Sequence, residues 1–97
     1  MANALVSVQI IPQTKDGEDA IPYVDEAISV IEKSGVTYEV NPLETTMEGD
    51  LIQLLQVVEK MNKKMTEMGS EHVISQVKIF YKPSGASIDQ LTEKYRE

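Results

Sequence analysis

The sequence contains no cysteine and no tryptophan, and only one phenylalanine and one histidine. Without cysteine there is no disulfide scaffold, iron–sulfur cluster, zinc knuckle or thiol nucleophile, and the redox compartment is unreadable. His72 stands beside Glu71 with no second imidazole to share a metal, so it reads as a surface residue, and it supports no Ser-His-Asp arrangement. No glycine-rich phosphate loop is present. No apolar run approaches the roughly 18 residues of a membrane span, and residues 1–13 carry no basic leader; the expectation is a soluble, cytoplasmic protein with no membrane partner.

Basic charge is also scarce, with 9 lysines and arginines against 16 acids, a net charge of −7. The imbalance belongs to residues 1–49, where only Lys15 and Lys33 oppose nine carboxylates, whereas residues 50–97 hold seven charges of each sign. A field from the first half attracts a cation more readily than a phosphate. An RNA-reading sheet needs aromatics on its open face and basic surroundings, so a chain with 5% aromatic residues and this charge has no nucleic-acid partner. An acylphosphatase would need a basic anion cradle after its first strand; residues 13–19 are acidic instead.

What remains is ordinary globular material: 41% hydrophobic and 26% charged residues in a 97-residue chain, enough for one domain (1–97) and no separate catalytic module. Residues 4–11 alternate, with Val6, Val8 and Ile10 on one side and Leu5, Ser7, Gln9 and Ile11 on the other, the period of a strand closed by Pro12. Ala20, Val24, Ala27, Ile28 and Ile31 recur at helical spacing between Pro22 and a glycine cap at Gly35. Residues 36–48 alternate about an Asn41-Pro42 turn and predict a hairpin. Asp50 and Gln53 resemble a capping box, and Leu51, Leu54, Leu55, Val58, Met61, Met65 and Met68 form a helical stripe. The methionines are pliable core or interface rather than a cofactor box, and Lys60, Lys63 and Lys64, flanked by Glu59 and Glu67, read as a solvated helix face. Residues 72–82 form a β-rich run, and a helical tail over 88–95 begins at Ser87 or Asp89.

The order β-α-β-β-α-β with a short C-terminal helix is the α+β, ferredoxin-like sandwich. Right-handed crossovers predict an antiparallel sheet in the order 4-1-3-2, both helices on one face, and a second face uncovered within the chain. If Val6, Val8, Ile10, Leu43, Thr45, Met47, Val77 and Ile79 face the helices, the bare face presents Ser7 and Gln9 beside Thr46 and Glu48, bordered by Leu5, Ile11, Gln76, Lys78 and Phe80. A carboxylate, hydroxyls and an amide on adjoining strands describe a small-molecule pocket or a partly polar oligomer interface, and the two coincide if the pocket lies between subunits.

Ser7-Val8-Gln9-Ile10-Ile11-Pro12, the hairpin from Tyr38 to Gly49 with its Thr45-Thr46-Met47-Glu48-Gly49 stretch, and the closing Val77-Lys78-Ile79 resemble the thiamine-binding-protein (YkoF-like) family of short ferredoxin-like chains. The resemblance implies a non-enzymatic binder of thiamine or its hydroxymethylpyrimidine moiety, with no cofactor, assembled as a homo-oligomer that is a dimer of dimers. The motif match carries over Thr45, Thr46 and Glu48 from the hairpin and Ser7 and Gln9 from the first strand. The family's arginine-containing end of the last strand is replaced here by Phe80-Tyr81-Lys82-Pro83. Glu48, Gln9 and the two threonines would meet the aminopyrimidine, and Tyr38, Phe80 or Tyr81 would wall the ring. The alternatives are an interaction or metabolite-sensing module of the same fold, and, below both, a small enzyme of the dimeric α+β barrel type, for which no catalytic group is evident.

Overall fold

The computed structural model describes residues 2–14 and 17–95, so Lys15 and Asp16 of the acidic loop and Arg96 and Glu97 of the tail lie outside the described residues. The elements are β1 (Ala4–Pro12), α1 (Ile21–Ser34), β2 (Thr37–Val40), β3 (Thr45–Gly49), α2 (Leu51–Glu67), β4 (Val73–Tyr81) and α3 (Ile88–Thr92), followed by a single 3₁₀ turn at Glu93–Tyr95. The sheet is antiparallel in the order β2-β3-β1-β4, the expected 4-1-3-2 read from its other edge.

β1 is central and fixes the register. Val6 lies opposite Met47 of β3 and Ile79 of β4; Ser7 lies opposite Thr46 and Lys78. The odd and even positions of β1 therefore serve different faces. Val6, Val8, Ile10 and Met47 pack against Tyr23, Ala27 and Ile31 of α1 and Leu54, Val57, Met61 and Met65 of α2, a single core on one side of the sheet. In α2 it is Val57, not Leu55, that completes the stripe; Leu55 is exposed. Val77 and Ile79 share the helix side by register yet stay 38% and 50% exposed, whereas nearer the start of β4 Ser75 donates to Asn62 Oδ1 of α2 at 2.7 Å.

Three local expectations change. Leu43 is not in the hairpin's second strand: the chain turns over residues 41–44, closed by Asn41 N–H to the Glu44 carbonyl at 2.9 Å, and Leu43 is 75% exposed at its tip. Pro42, with no N–H to give a ladder, suits the first corner of such a turn. The Asp50 side chain makes no cap hydrogen bond; the Leu51 N–H donates instead to Asn3 Oδ1 at 2.9 Å, and Asn3 Nδ2 donates to Asp50 Oδ1 at 3.2 Å. The cap of α2 thus comes from 48 residues away in sequence.

The third concerns the second sheet face, which is not bare throughout. The tail crosses its far end, where Lys82 N–H donates to the Asn3 carbonyl at 2.8 Å and Ala86 N–H to the Ala2 carbonyl at 2.9 Å. Ala86 and Ile88 bury Leu5 in a small second core. Ser87 caps α3, accepting from Gln90 N–H at 3.3 Å. An apolar Leu5 on the side away from the helices needs some cover, and the tail supplies it.

Asn3→Ala should lower the unfolding free energy by about 1 kcal/mol, the usual worth of a helix N-cap. Asp50→Ala leaves the Leu51 N–H satisfied and should cost less. Urea denaturation of the two variants distinguishes them; a larger loss at Asp50 would return the cap to that residue.

Candidate functional site

The middle of the sheet face opposite the helices remains open between the tail and the β2–β3 turn. Ser7 at the centre of β1 is flanked by Thr46 on β3 and Lys78 on β4. Alternation back from Thr46 brings Glu44, at the foot of β3, to the same side. Its carboxylate is the focus of the group: Ser7 Oγ donates to Oε2 in a short hydrogen bond, and Lys78 Nζ donates to Oε1 at 2.8 Å. Thr46 Oγ1 donates to Ser7 Oγ at 3.4 Å.

These groups floor a cleft of about 530 Å³, walled by Asn41, Pro42 and Leu43 of the turn. That volume falls in the roughly 300–1,000 Å³ span of small-molecule sites. The cleft continues along Ser7, Thr46 and Lys78 into a trough of about 220 Å³ that ends at Leu5 and Phe80. Behind the turn, toward α1, lies a narrower cavity of about 150 Å³ that shares Leu43 and Glu44 and adds Gln9, Thr45 and Ile28.

Hydrogen bonds from Lys78 and then Ser7 hold the Glu44 carboxyl below the usual glutamate range, against a smaller opposing push from desolvation. Glu44 is therefore an ionised acceptor, and the lysine ammonium beside it, itself largely exposed, leaves a local charge near zero with donors and acceptors side by side.

Of the five residues expected at the site, Ser7 and Thr46 stand in the cleft. Gln9 is half-buried further along β1, opposite Gln76, and reaches the narrow cavity rather than the open one. Thr45 is 6% exposed and lies opposite Val8 on the helix side, so strand alternation removes it from the face that carries Thr46. Glu48 shares the open face but lies opposite Leu5 beneath the tail, where Oε1 accepts the Ile88 N–H at 2.8 Å. Leu5 and Gln9 are four residue steps apart along β1, about 13 Å at the usual rise, so Glu48 and Gln9 do not share one cleft.

The acid of the cleft is Glu44, with Lys78 as its partner. Both lie within reach of the pattern, since alternation puts Lys78 on the open face and Glu44 precedes Thr46 by one strand period. Of the aromatic candidates only Phe80 lies on this face. Tyr38 is opposite Met47 and donates to Glu32 at 3.5 Å, and Tyr81, opposite Ala4, belongs to the helix side. His72 is exposed at the start of β4. Among the described residues no group of three or more histidines, aspartates or glutamates could hold a metal ion, and no helix is long and apolar enough to cross a membrane.

The family model described as thiamine-binding protein matches residues 6–96. A UPF0045 protein of Clostridium perfringens is 45% identical over 91 residues, 94% of this chain and 95% of the relative. Among solved structures, a domain of unknown function from Bacillus cereus superposes with a TM-score of 0.91 at 42% identity, covering 99% of this chain and 93% of that one. A proposed thiamine biosynthesis/salvage protein of Thermotoga maritima follows at TM-score 0.87 and 30% identity, covering 97% and 99%.

Glu44 should titrate below an ordinary glutamate, and in Lys78→Ala its value should move back up, as read from side-chain carboxyl NMR shifts. Because the folded value is the lower one, the Glu44–Lys78 contact contributes stability above the unfolded glutamate value and loses it as pH falls through that value toward the folded one. No upward movement in the variant would assign the effect to Ser7 alone. Glu48→Ala should instead speed amide exchange at Ile88 and leave the Glu44 titration where it is.

Proposed function

The chain belongs to the thiamine-binding protein family, and from that premise we propose that it binds thiamine or its hydroxymethylpyrimidine moiety, without chemical conversion, in the Ser7–Glu44–Thr46–Lys78 cleft. The observation that carries the reading is the Glu44 carboxylate, held ionised and facing a cavity of suitable volume. An aminopyrimidine presents an amino group that needs an acceptor and ring nitrogens that need donors; Glu44 supplies the first, and the Ser7 and Thr46 hydroxyls or Lys78 the second. Pro42 and Leu43 offer the flat ring an apolar wall, and the negative surface of the first half suits the thiazolium cation. A thiamine-related role agrees with the Thermotoga maritima relative. No catalytic step is assigned: a carboxyl of lowered pKa is a weak base at neutral pH, and the single histidine lies elsewhere.

One feature favours assembly as a second element of the reading. β4 is an open sheet edge, and Ile74, Val77, Ile79, Phe80 and Tyr81 along it are all exposed. A second copy pairing there would cover apolar side chains that neither helix nor tail reaches, and a homo-oligomer, a dimer of dimers in the family's manner, would follow. If the chain serves only assembly, this edge rather than the cleft is the functional surface.

Calorimetric titration with thiamine and hydroxymethylpyrimidine, with light scattering on the same samples, tests both elements. Saturable binding is expected, weakened about tenfold to a hundredfold in Glu44→Gln through loss of a charge-assisted hydrogen bond. Glu48→Ala should bind as the parent chain does. No heat from either ligand with an intact oligomer would leave assembly alone, and conversion of thiamine detected by mass spectrometry would make the protein an enzyme.

A further inference from the structure

The outer surface of the helix layer, on the far side of the sheet from the cleft, concentrates charge of the sign the chain otherwise lacks. Lys60, Lys63 and Lys64 share one face of α2 at i, i+3 and i+4, and Lys33, one turn beyond Val30 on α1, lines the same groove of about 320 Å³. Four of the nine basic side chains of a chain with net charge −7 thus meet at one place, and Glu67 is the single acid in the lining.

The available acids satisfy these cations poorly. Lys63 reaches Glu59 at 3.8 Å with both side chains about 70% exposed, and Lys64 reaches Glu26 at 4.0 Å, contacts worth little in water. Lys33 and Lys60 make no ion pair among the described residues. Four lysines lining one groove repel each other unless a counter-charge enters it, and their stems with Val30 give that guest apolar walls.

We propose that this groove binds a small anion carrying more than one phosphate, bridging Lys33 on α1 to Lys60, Lys63 and Lys64 on α2. Packed helix axes stand roughly 8–10 Å apart, a span that one phosphate covers less well than two. The bounded groove and acidic surroundings disfavour an extended polyanion such as nucleic acid, whose neighbouring phosphates would meet repulsion. The inference is independent of the thiamine reading.

The test is an amide NMR titration of the full chain with sodium diphosphate at constant ionic strength, with sulfate as the single-centre control. Expected are saturable shifts confined to residues 30–34 and 60–67, with diphosphate binding tighter than sulfate. Removing two exposed charge contacts in the Lys33→Gln/Lys60→Gln double variant should weaken binding about tenfold. The Lys33→Arg/Lys60→Arg variant should restore it. Should the double variant misfold, each single glutamine variant should show about a threefold loss. Shifts that follow ionic strength alone, equal affinity for sulfate and diphosphate, or undiminished binding in the glutamine variants would each overturn the proposal.

Discussion

Everything in this molecule turns on β1 running between β3 and β4 with Val6 and Ser7 pointing to opposite faces. The even-numbered positions Val6, Val8 and Ile10 lock both helices to the sheet through a core in which Val6, Ile31, Met47, Leu54 and Met65 are almost wholly buried. The odd positions then have no choice of side: Leu5, Ser7 and Gln9 must face away. The energetic reason for the fold and the chemical reason for the cleft are alternate residues of one strand, and a one-residue slip would destroy both.

The second face is divided by what covers it. At the Leu5 end the chain's own tail packs down, ordered by Glu48 accepting the Ile88 N–H and by backbone bonds to residues 2 and 3. At the other end the β2–β3 turn rises beside Glu44. The polar group of Ser7, Thr46, Glu44 and Lys78 occupies the stretch between, and its donors and acceptors are poised against one another. A ligand bound there as proposed would exchange existing hydrogen bonds for its own rather than fill bare valences, and its discrimination would rest on shape and on the apolar wall of Pro42 and Leu43 as much as on charge.

The strands and helices were legible because their periods are clean: the alternation in residues 4–11 and the methionine stripe of α2 admit one reading each. The strand order followed from crossover handedness. What escaped were the long-range substitutions of one partner for another. Asn3 caps α2 in place of Asp50, and the tail covers Leu5, because contacts across more than forty residues leave no local mark. At the site, a motif match points to Glu48 and Thr45, while the structure sets the Glu44 carboxylate and the Lys78 ammonium beside Ser7 and Thr46. Gly35 and Gly49 bracket that hairpin, but where its second strand begins is decided by the turn's own hydrogen bond, which moves Leu43 out of the strand.

The edge formed by β4 has a consequence for handling the molecule. Nine residues of β-strand backbone, rich in isoleucine, valine and aromatic side chains, stand at the border of the sheet, with no proline among them and Lys78 the only charge. Such a border templates cross-β growth whenever it is left unoccupied. Mutual repulsion between chains of net charge −7 opposes that growth at neutral pH, so precipitation should set in as the medium is acidified toward the isoelectric point, well before the core itself gives way.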